Sequence, residues 1–133
     1  MGLRVIIEGF GGQGVKSAGD LLVTTLFNTG HRVHGITLYE PLQMGGLVTF
    51  SLAIDSDGDR VVPAYDRDVF IMMHRRLFTR AEGESVRPDG LIIVNAPEVP
   101  PELSETGRRI AAVDADTIAR EYNLARASVP NLS

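Results

Sequence analysis

The chain has 133 residues, enough for one hydrophobic core and too few for two independent ones. Its 13 Lys and Arg against 17 Asp and Glu give a formal net charge of −4, which argues against nucleic acid or an anionic membrane as the main partner. Because cysteine is absent, disulfides, thiolate zinc sites, cysteine nucleophiles and iron–sulfur clusters held by this chain are excluded.

The overall composition indicates a globular domain in the cytoplasm. Hydrophobic residues make up 44% of the chain and charged residues 23%, an ordinary balance that excludes general disorder. No apolar run approaches the roughly 18 residues of a membrane span. Leu3–Ile7 resembles a strand core rather than a signal peptide, so we expect a cytoplasmic protein with neither membrane nor nucleic-acid partners.

The first half of the chain alternates between strand and helix patterns. A β-branched run ends at glycines, and apolar residues at helical spacing follow, with Gly30 as the expected left-handed residue after the helix. The predicted elements are strand Leu3–Glu8, loop Gly9–Gly14, a helix that begins at Val15 and is stopped by Asn28–Gly30, strand Arg32–Leu38, loop Tyr39–Gly46 and strand Leu47–Ile54.

The second half continues this alternation after a hairpin signal. Asp55–Asp59 has the composition of a tight turn, and Arg60–Val62 would return antiparallel to the third strand. The elements predicted next are strand Asp68–Met73, helix His74–Glu82 closed by Gly83, turn Pro88–Gly90, central strand Leu91–Asn95, loop Pro97–Gly107, strand Arg109–Val113, and a helix capped by Asp114 or Asp116 that runs to Leu124.

This order of elements predicts an α/β fold. Strands that alternate with helices pair in parallel, with helices on both faces, so we expect a three-layer sandwich whose mostly parallel sheet has one antiparallel hairpin element. Residues 1–133 are interpreted as a single domain. Because Ala125–Ser133 has no clear terminal element, we expect the natural domain to be longer.

The strongest motif is the loop after the first strand. Gly9–Gly14 has the sequence GFGGQG and matches G-x-G-x-x-G between a strand and an amphipathic helix. The N–H groups and dipole of such a helix N-terminus favour an anion, and glycine permits its close approach. The candidate binding residues are Gly9, Gly11, Gly12, Gln13 and Gly14. A tight turn without a ligand is the alternative.

Two standard nucleotide sites are disfavoured by the residues around this loop. A Walker A loop has lysine directly after its last glycine, whereas Val15 precedes Lys16 here, so an NTPase is rejected. A dinucleotide-binding fold places an acid at the end of the second strand, ~20 residues after the glycines. The first acid here is Glu40, which comes late and precedes Pro41, so NAD binding is disfavoured.

Two other segments follow strands and should lie at the same carboxyl edge of the sheet. The loop after the second strand contributes Gly45 and Gly46 as candidate binding residues, although an ordinary flexible loop explains them equally well. The basic cluster His74–Arg76, with Arg67 and Arg80 near it in sequence, would suit phosphates or carboxylates; a solvated helix face is the more ordinary interpretation. We assign no catalytic residue and no metal ligand.

Several segments together resemble one family. GFGGQGV at Gly9–Val15 is similar to the corresponding loop of the gamma subunit, or fused gamma domain, of 2-oxoacid:ferredoxin oxidoreductases of the pyruvate, 2-oxoglutarate and ketoisovalerate type. The double-glycine loop Tyr39–Gly46, the strand that begins at Asp68 and the segment Pro88–Asn95 match in the same order. Met44 stands where the family usually has arginine.

The resemblance implies a subunit of a heteromeric oxidoreductase complex. Such a complex oxidatively decarboxylates a 2-oxoacid with coenzyme A and passes electrons to ferredoxin. Thiamine diphosphate, Mg²⁺ and iron–sulfur clusters would be held by thiamine-binding and ferredoxin-like subunits, and no cofactor is assigned to this chain. A Rossmann-like gamma domain would pack on those subunits and help to form the coenzyme A side of the site, and the isolated chain is expected to be inactive.

Two alternative functions stay open. One is a free-standing nucleotide-binding module, which the late Glu40 counts against. The other is the related domain of an indolepyruvate oxidoreductase beta subunit. Neither the identity of the 2-oxoacid nor the contact made by the glycine loop, with coenzyme A or with another subunit, follows from the sequence.

Overall fold

The structure is a computed structural model that describes residues 2–10, 14–55, 67–118 and 120–121. Within these ranges it contains strands and α-helices, together with single 3₁₀ turns at Leu42–Met44 and Arg75–Leu77. The elements are β1 Leu3–Phe10, α1 Val15–Asn28, β2 Val33–Tyr39, β3 Leu47–Ile54, β4 Arg67–Met72, α2 Arg80–Glu84, β5 Val86–Asn95, α3 Pro101–Ser104 and β6 Arg109–Val113.

The strands form one sheet in the order β2-β3-β1-β4-β5-β6. β1, β4, β5 and β6 pair in parallel, whereas β3 pairs antiparallel with both β1 and β2. This confirms the mostly parallel α/β sheet. The antiparallel element is β3, reached from β2 through residues 40–46; the hairpin return predicted at 60–62 lies outside the described residues.

Alternate residues of β1 enter two separate hydrophobic clusters, one on each face of the sheet. Val5 and Ile7 pack with Phe50 of β3 beneath α1, and we call this side the α1 face. Ile6 packs on the opposite side, in a cluster that includes Leu77 and α3 residue Leu103. Helices therefore cover both faces, as expected for three layers. No helix in the described ranges is long and apolar enough to cross a membrane.

The predicted helix from His74 to Glu82 is wrong as a single element. Thr79 has an extended backbone, and its hydroxyl accepts a hydrogen bond from the Glu82 N–H at 3.2 Å, so α2 begins only after it. Gly83 does not end that helix but lies inside it, buried against Leu103 and Thr106. Both residues belong to the segment after β5 that was predicted as loop Pro97–Gly107, and this segment contains the short helix α3.

The predicted turn Pro88–Gly90 is also wrong, because these residues belong to β5. The pairing of β5 with β4 is irregular between Arg67 and Val69, where the β5 partners jump from Val86 to Leu91. Gly90 lies so close to β4 that an added Cβ would stand 2.7 Å from the Asp68 carbonyl oxygen. Glycine thus permits the close passage of the two strands, and a strand continues where the composition suggested a turn.

Candidate functional site

The connection between β1 and α1 depends on a left-handed glycine. Gly14 precedes the first helical residue with φ 77° and ψ 26°, and no side chain caps the helix N-terminus. Its carbonyl oxygen accepts a hydrogen bond from the Ala18 N–H at 2.9 Å, which begins α1. A β-carbon is disfavoured at this φ, so the local geometry explains why the motif ends in glycine.

The loop between β2 and β3 contains a second left-handed turn. Gly45 has φ 111° and Gly46 has φ 70°. Their N–H groups donate to the carbonyl oxygens of Leu42 at 3.0 Å and Pro41 at 3.2 Å. Two consecutive residues with positive φ therefore require the double glycine and turn the chain back into β3.

These two turns line one pocket, which we call the edge pocket. It has a volume of about 340 Å³ and lies where β1 and β2 end and β3 begins. Lys16 and Glu40 supply opposite charges to its wall, and Lys16 also forms an exposed ion pair with Asp20 at 2.8 Å. The residues that line it are Phe10, Gly14, Val15, Lys16, Ser17, Tyr39, Glu40, Leu42, Gly46 and Val48.

The structure brings some of the predicted binding residues together and omits others. Gly14 and Gly46 line the edge pocket, and Gly45 belongs to the same turn as Gly46. Gly9 is buried within β1 opposite Val48. The remaining three candidates, Gly11, Gly12 and Gln13, lie outside the described residues. The predicted proximity of the two glycine segments is thus confirmed for Gly14 and Gly46.

The basic cluster reaches the same edge through Phe10. The rings of Phe10 and His74 meet edge to face with centroids 4.9 Å apart, and the Arg76 guanidinium lies 4.7 Å from the centre of the Phe10 ring. His74 Nδ1 accepts a hydrogen bond from the Arg76 N–H at 3.1 Å. Arg80, in contrast, pairs with Glu84 on α2 and does not join the cluster.

A buried ion pair lies directly before the glycine loop and was not predicted. Glu8 is 5% exposed and Arg67 is 9% exposed. Arg67 Nη1 stands 3.2 Å from Glu8 Oε1, and the Thr49 hydroxyl donates to Glu8 Oε2 at 2.8 Å. The guanidinium also lies 4.2 Å from the centre of the Phe70 ring. Arg67 thus belongs to this pair rather than to the basic cluster with which the sequence grouped it.

A second carboxylate approaches the same guanidinium from α2. Glu82 Oε2 is 3.9 Å from Arg67 Nη1. Burial raises the pKa of Glu82, and the nearby Glu8 carboxylate acts in the same direction, whereas Arg67 lowers it. The sequence contains one indication of the Glu8–Arg67 pair, namely an acidic residue, Glu8, within the apolar run Leu3–Phe10. Arg67 lies 59 positions further along the chain, so the sequence did not identify it as the partner.

The described ranges contain no group of three or more His, Asp or Glu side chains arranged to hold a metal ion. His31 pairs with Asp55 at 2.7 Å, and the later aspartates of the predicted turn lie outside the described residues. The groups that the described residues offer to a ligand at the carboxyl edge are backbone N–H groups, Lys16 and Glu40 in the edge pocket, and His74 and Arg76 beside Phe10.

Comparison with known proteins identifies one family for almost the entire chain. The profile of the family described as pyruvate ferredoxin/flavodoxin oxidoreductase matches residues 4–132. The chain is 29% identical over 125 residues to the pyruvate/ketoisovalerate oxidoreductases common subunit gamma of Pyrococcus abyssi, covering 90% of this chain and 68% of that subunit. It is 34% identical over 128 residues to ketoisovalerate oxidoreductase subunit VorA of Methanothermobacter marburgensis, of which it covers 26%.

Solved structures share the fold. Pyruvate oxidoreductase subunit PORC from Thermotoga maritima superposes with a TM-score of 0.74 at 23% identity, over 90% of this chain and 66% of that one. The 2-oxoglutarate:ferredoxin oxidoreductase of Magnetococcus marinus, solved with 2-oxoglutarate, coenzyme A and succinyl-CoA, gives a TM-score of 0.68 at 18% identity, over 90% of this chain and 21% of that one. The chain thus spans about two thirds of the separate subunits it resembles and a smaller part of the longer chains.

Proposed function

Since the chain belongs to the pyruvate ferredoxin/flavodoxin oxidoreductase family, we propose that it is the gamma subunit of a 2-oxoacid:ferredoxin oxidoreductase complex. The complex would catalyse the coenzyme A-dependent oxidative decarboxylation of a 2-oxoacid and transfer the electrons to ferredoxin in the cytoplasm. This chain would contribute a surface at the carboxyl edge of its sheet and no complete active site.

The family match over residues 4–132 is the observation that carries this proposal. The arrangement of the edge pocket supports it, because ligands of open α/β sheets bind outside the carboxyl ends of the strands. Gly14 leaves the first N–H groups of α1 without a side-chain cap, and Lys16 stands beside them in the pocket wall. Such a pocket suits an anionic group of coenzyme A or a carboxylate from another subunit.

The described residues offer no site for the other cofactors of such a complex. Iron–sulfur clusters are bound by cysteine thiolates, and this chain contains no cysteine. Mg²⁺ with thiamine diphosphate requires a set of oxygen ligands, and no metal-binding group occurs in the described ranges. We therefore assign both to the thiamine-binding and ferredoxin-like subunits, and only coenzyme A has a candidate contact here.

Reconstitution with the neighbouring subunits tests the proposal. The chain should co-purify with a thiamine-binding subunit and a ferredoxin-like subunit encoded beside it, and only the full set should reduce ferredoxin with a 2-oxoacid and coenzyme A. Turnover by the other subunits without this chain, or by this chain alone, would contradict the assignment.

The alternative function is a free-standing nucleotide-binding module. One observation favours it, because Glu40, the first acid after the second strand, lines the edge pocket. Calorimetric titration of the isolated chain with NAD(H), ATP and coenzyme A separates the two functions. Tight binding of NAD(H) or ATP, without assembly with other subunits, would favour the module. We expect neither nucleotide to bind tightly.

A further inference from the structure

Among the residues that the structure describes, no strand pairs with the outer side of β2, which forms one edge of the sheet. Within the described ranges β2 pairs only with β3. The hydrogen bonds from Glu40 N–H to the Leu47 carbonyl and from Asp55 N–H to the Arg32 carbonyl, both 2.8 Å, turn the even-numbered residues toward β3. The backbone groups of the odd-numbered residues therefore point away from the sheet; they are Val33, Gly35, Thr37 and Tyr39.

The side chains of β2 do nothing to block this edge. Natural edge strands are usually protected by lysine, proline, a bulge or an inward-pointing charge. β2 has the sequence VHGITLY, which contains no lysine, proline or acid, and it pairs with β3 in continuous register. Ile36 is 61% exposed and Leu38 is 58% exposed on the face opposite α1.

The charges that flank β2 select one partner for it. Arg32 precedes the strand and Glu40 follows it, and both positions are symmetric about Ile36. In an antiparallel pair of two β2 strands centred on Ile36, Arg32 of each copy lies opposite Glu40 of the other. The same register places Gly35 opposite Thr37 and Val33 opposite Tyr39, so the outward backbone groups of both copies meet.

We infer that β2 is a homodimerisation edge, on which a second copy of this chain adds its own β2 antiparallel about Ile36 and forms one continuous sheet. Ile36 and its symmetry mate then face each other across the two-fold axis, and Leu38 of each copy packs beside them. Exposed apolar side chains become buried, and unpaired backbone groups gain partners. This interface uses the side edge of the sheet and goes beyond the proposed oxidoreductase function; it meets the edge pocket only at Tyr39 and Glu40, which also line that pocket.

A single introduced cysteine tests the register directly, since the chain has none of its own. Residues that face each other in a non-hydrogen-bonded antiparallel pair have Cα atoms about 4.5 Å apart, within the range of a disulfide. Ile36→Cys should therefore form a disulfide-linked dimer under mild oxidation. The two copies of Leu38→Cys would lie about 14 Å apart, from four residues of strand rise, and should cross-link about tenfold more slowly or not at all.

Two further comparisons complete the test. Val113→Cys, at an exposed apolar position on the opposite edge strand β6, serves as the matched control and should not cross-link. In sedimentation experiments, Arg32→Glu should weaken the dimer, and adding Glu40→Arg in the same chain should restore it. A monomer at concentrations up to about 0.1 mM, equal cross-linking of the three cysteine variants, or a strand of another subunit found on β2 would overturn the inference.

Discussion

At the scale of single residues, backbone conformation accounts for the glycines of the carboxyl edge. Gly14, Gly45 and Gly46 all have positive φ, and two of them line the edge pocket. Gly30, which ends α1, has φ 94° and lies far from the pocket along the helix. A β-carbon added at Gly14 or at Gly30 would meet nothing within 4 Å, so only the backbone conformation opposes it.

Gly14→Ala and Gly30→Ala should therefore lower the free energy of unfolding by similar amounts, about 1 kcal/mol each. They should differ in function, because the Gly14 variant alone adds a methyl group to the wall of the edge pocket. Urea unfolding and the activity of the reconstituted complex measure the two effects. Equal activities for the two variants would show that the turn at Gly14 has only a structural role.

The ion pair of Glu8 and Arg67 should be a major determinant of stability. Removing one partner of a buried pair leaves the other charge without compensation, so Glu8→Gln should lower the free energy of unfolding by about 3 kcal/mol. The exposed pair of Arg80 and Glu84 provides the control, and Arg80→Gln should leave the unfolding transition nearly unchanged. A double variant, Glu8→Leu with Arg67→Met, should recover much of the loss.

Glu82 should make the stability of the domain depend on pH. Its pKa is raised in the folded protein, mainly by burial, so the folded state binds this proton more tightly than the unfolded state does. Stability from this group is present at low pH and is lost as the pH rises through the folded pKa. Compared with the wild type, Glu82→Gln should gain thermal stability as the pH rises from 4 to 7. A constant difference in Tm across this range would contradict the assignment.

At the scale of elements, the spacing between α1 and the sheet depends on two glycines that flank Phe50. A β-carbon at Gly19 of α1 would collide with the Phe50 ring, and one at Gly35 of β2 would stand 2.6 Å from Phe50 Cζ. Phe50 is 3% exposed and belongs to the hydrophobic cluster beneath α1. The helix can approach the sheet at this distance only because both positions lack a side chain.

Gly19→Ala should accordingly destabilise the protein by about 1–3 kcal/mol through overpacking. Phe50→Leu should cost less stability in the Gly19→Ala background than in the wild type, because the smaller side chain makes room for the methyl group. A double-mutant cycle measured by urea unfolding gives the coupling. Additive effects of the two substitutions would show that the helix shifts freely.

The elements that were predictable are those whose signals are local. A continuous β-branched run located β1, and apolar residues at helical spacing after the GFGGQG loop located α1. Asp114, one of the two predicted caps, accepts a hydrogen bond from the Thr117 N–H at 3.1 Å. The prediction of a turn from the composition of Pro88–Gly90 was wrong, because the close approach of the neighbouring strand, rather than a turn, requires glycine at position 90. The partner of Glu8 could not be found because pairing across a sheet face depends on strand order.

At the scale of the whole molecule, the order of the strands in the sheet brings the residues of the proposed functional surface together. β3 runs antiparallel beside β1, so Gly46 at its start lies next to Phe10 at the end of β1. β4 lies on the other side of β1 and brings His74 and Arg76 to the same phenyl ring. Residues from three separate segments thus meet at one edge, as the sequence predicted for parallel strands.

The central claim is that this carboxyl edge is the working surface of a gamma subunit. Leu42 is 88% exposed beside the edge pocket, whereas Asp89 is exposed toward the amino ends of β5 and β6, where its carbonyl oxygen accepts from Arg109 at 2.9 Å. The two sites allow matched lysine substitutions at opposite ends of the sheet.

The most direct measurement is the rate of ferredoxin reduction, with a 2-oxoacid and coenzyme A, by complexes reconstituted with either variant. Leu42→Lys should reduce the rate about tenfold or more, the loss expected when a charge enters a desolvated contact. Asp89→Lys should leave the rate close to that of the wild type. Normal turnover with Leu42→Lys and loss of turnover with Asp89→Lys would contradict the assignment of the working surface to the carboxyl edge.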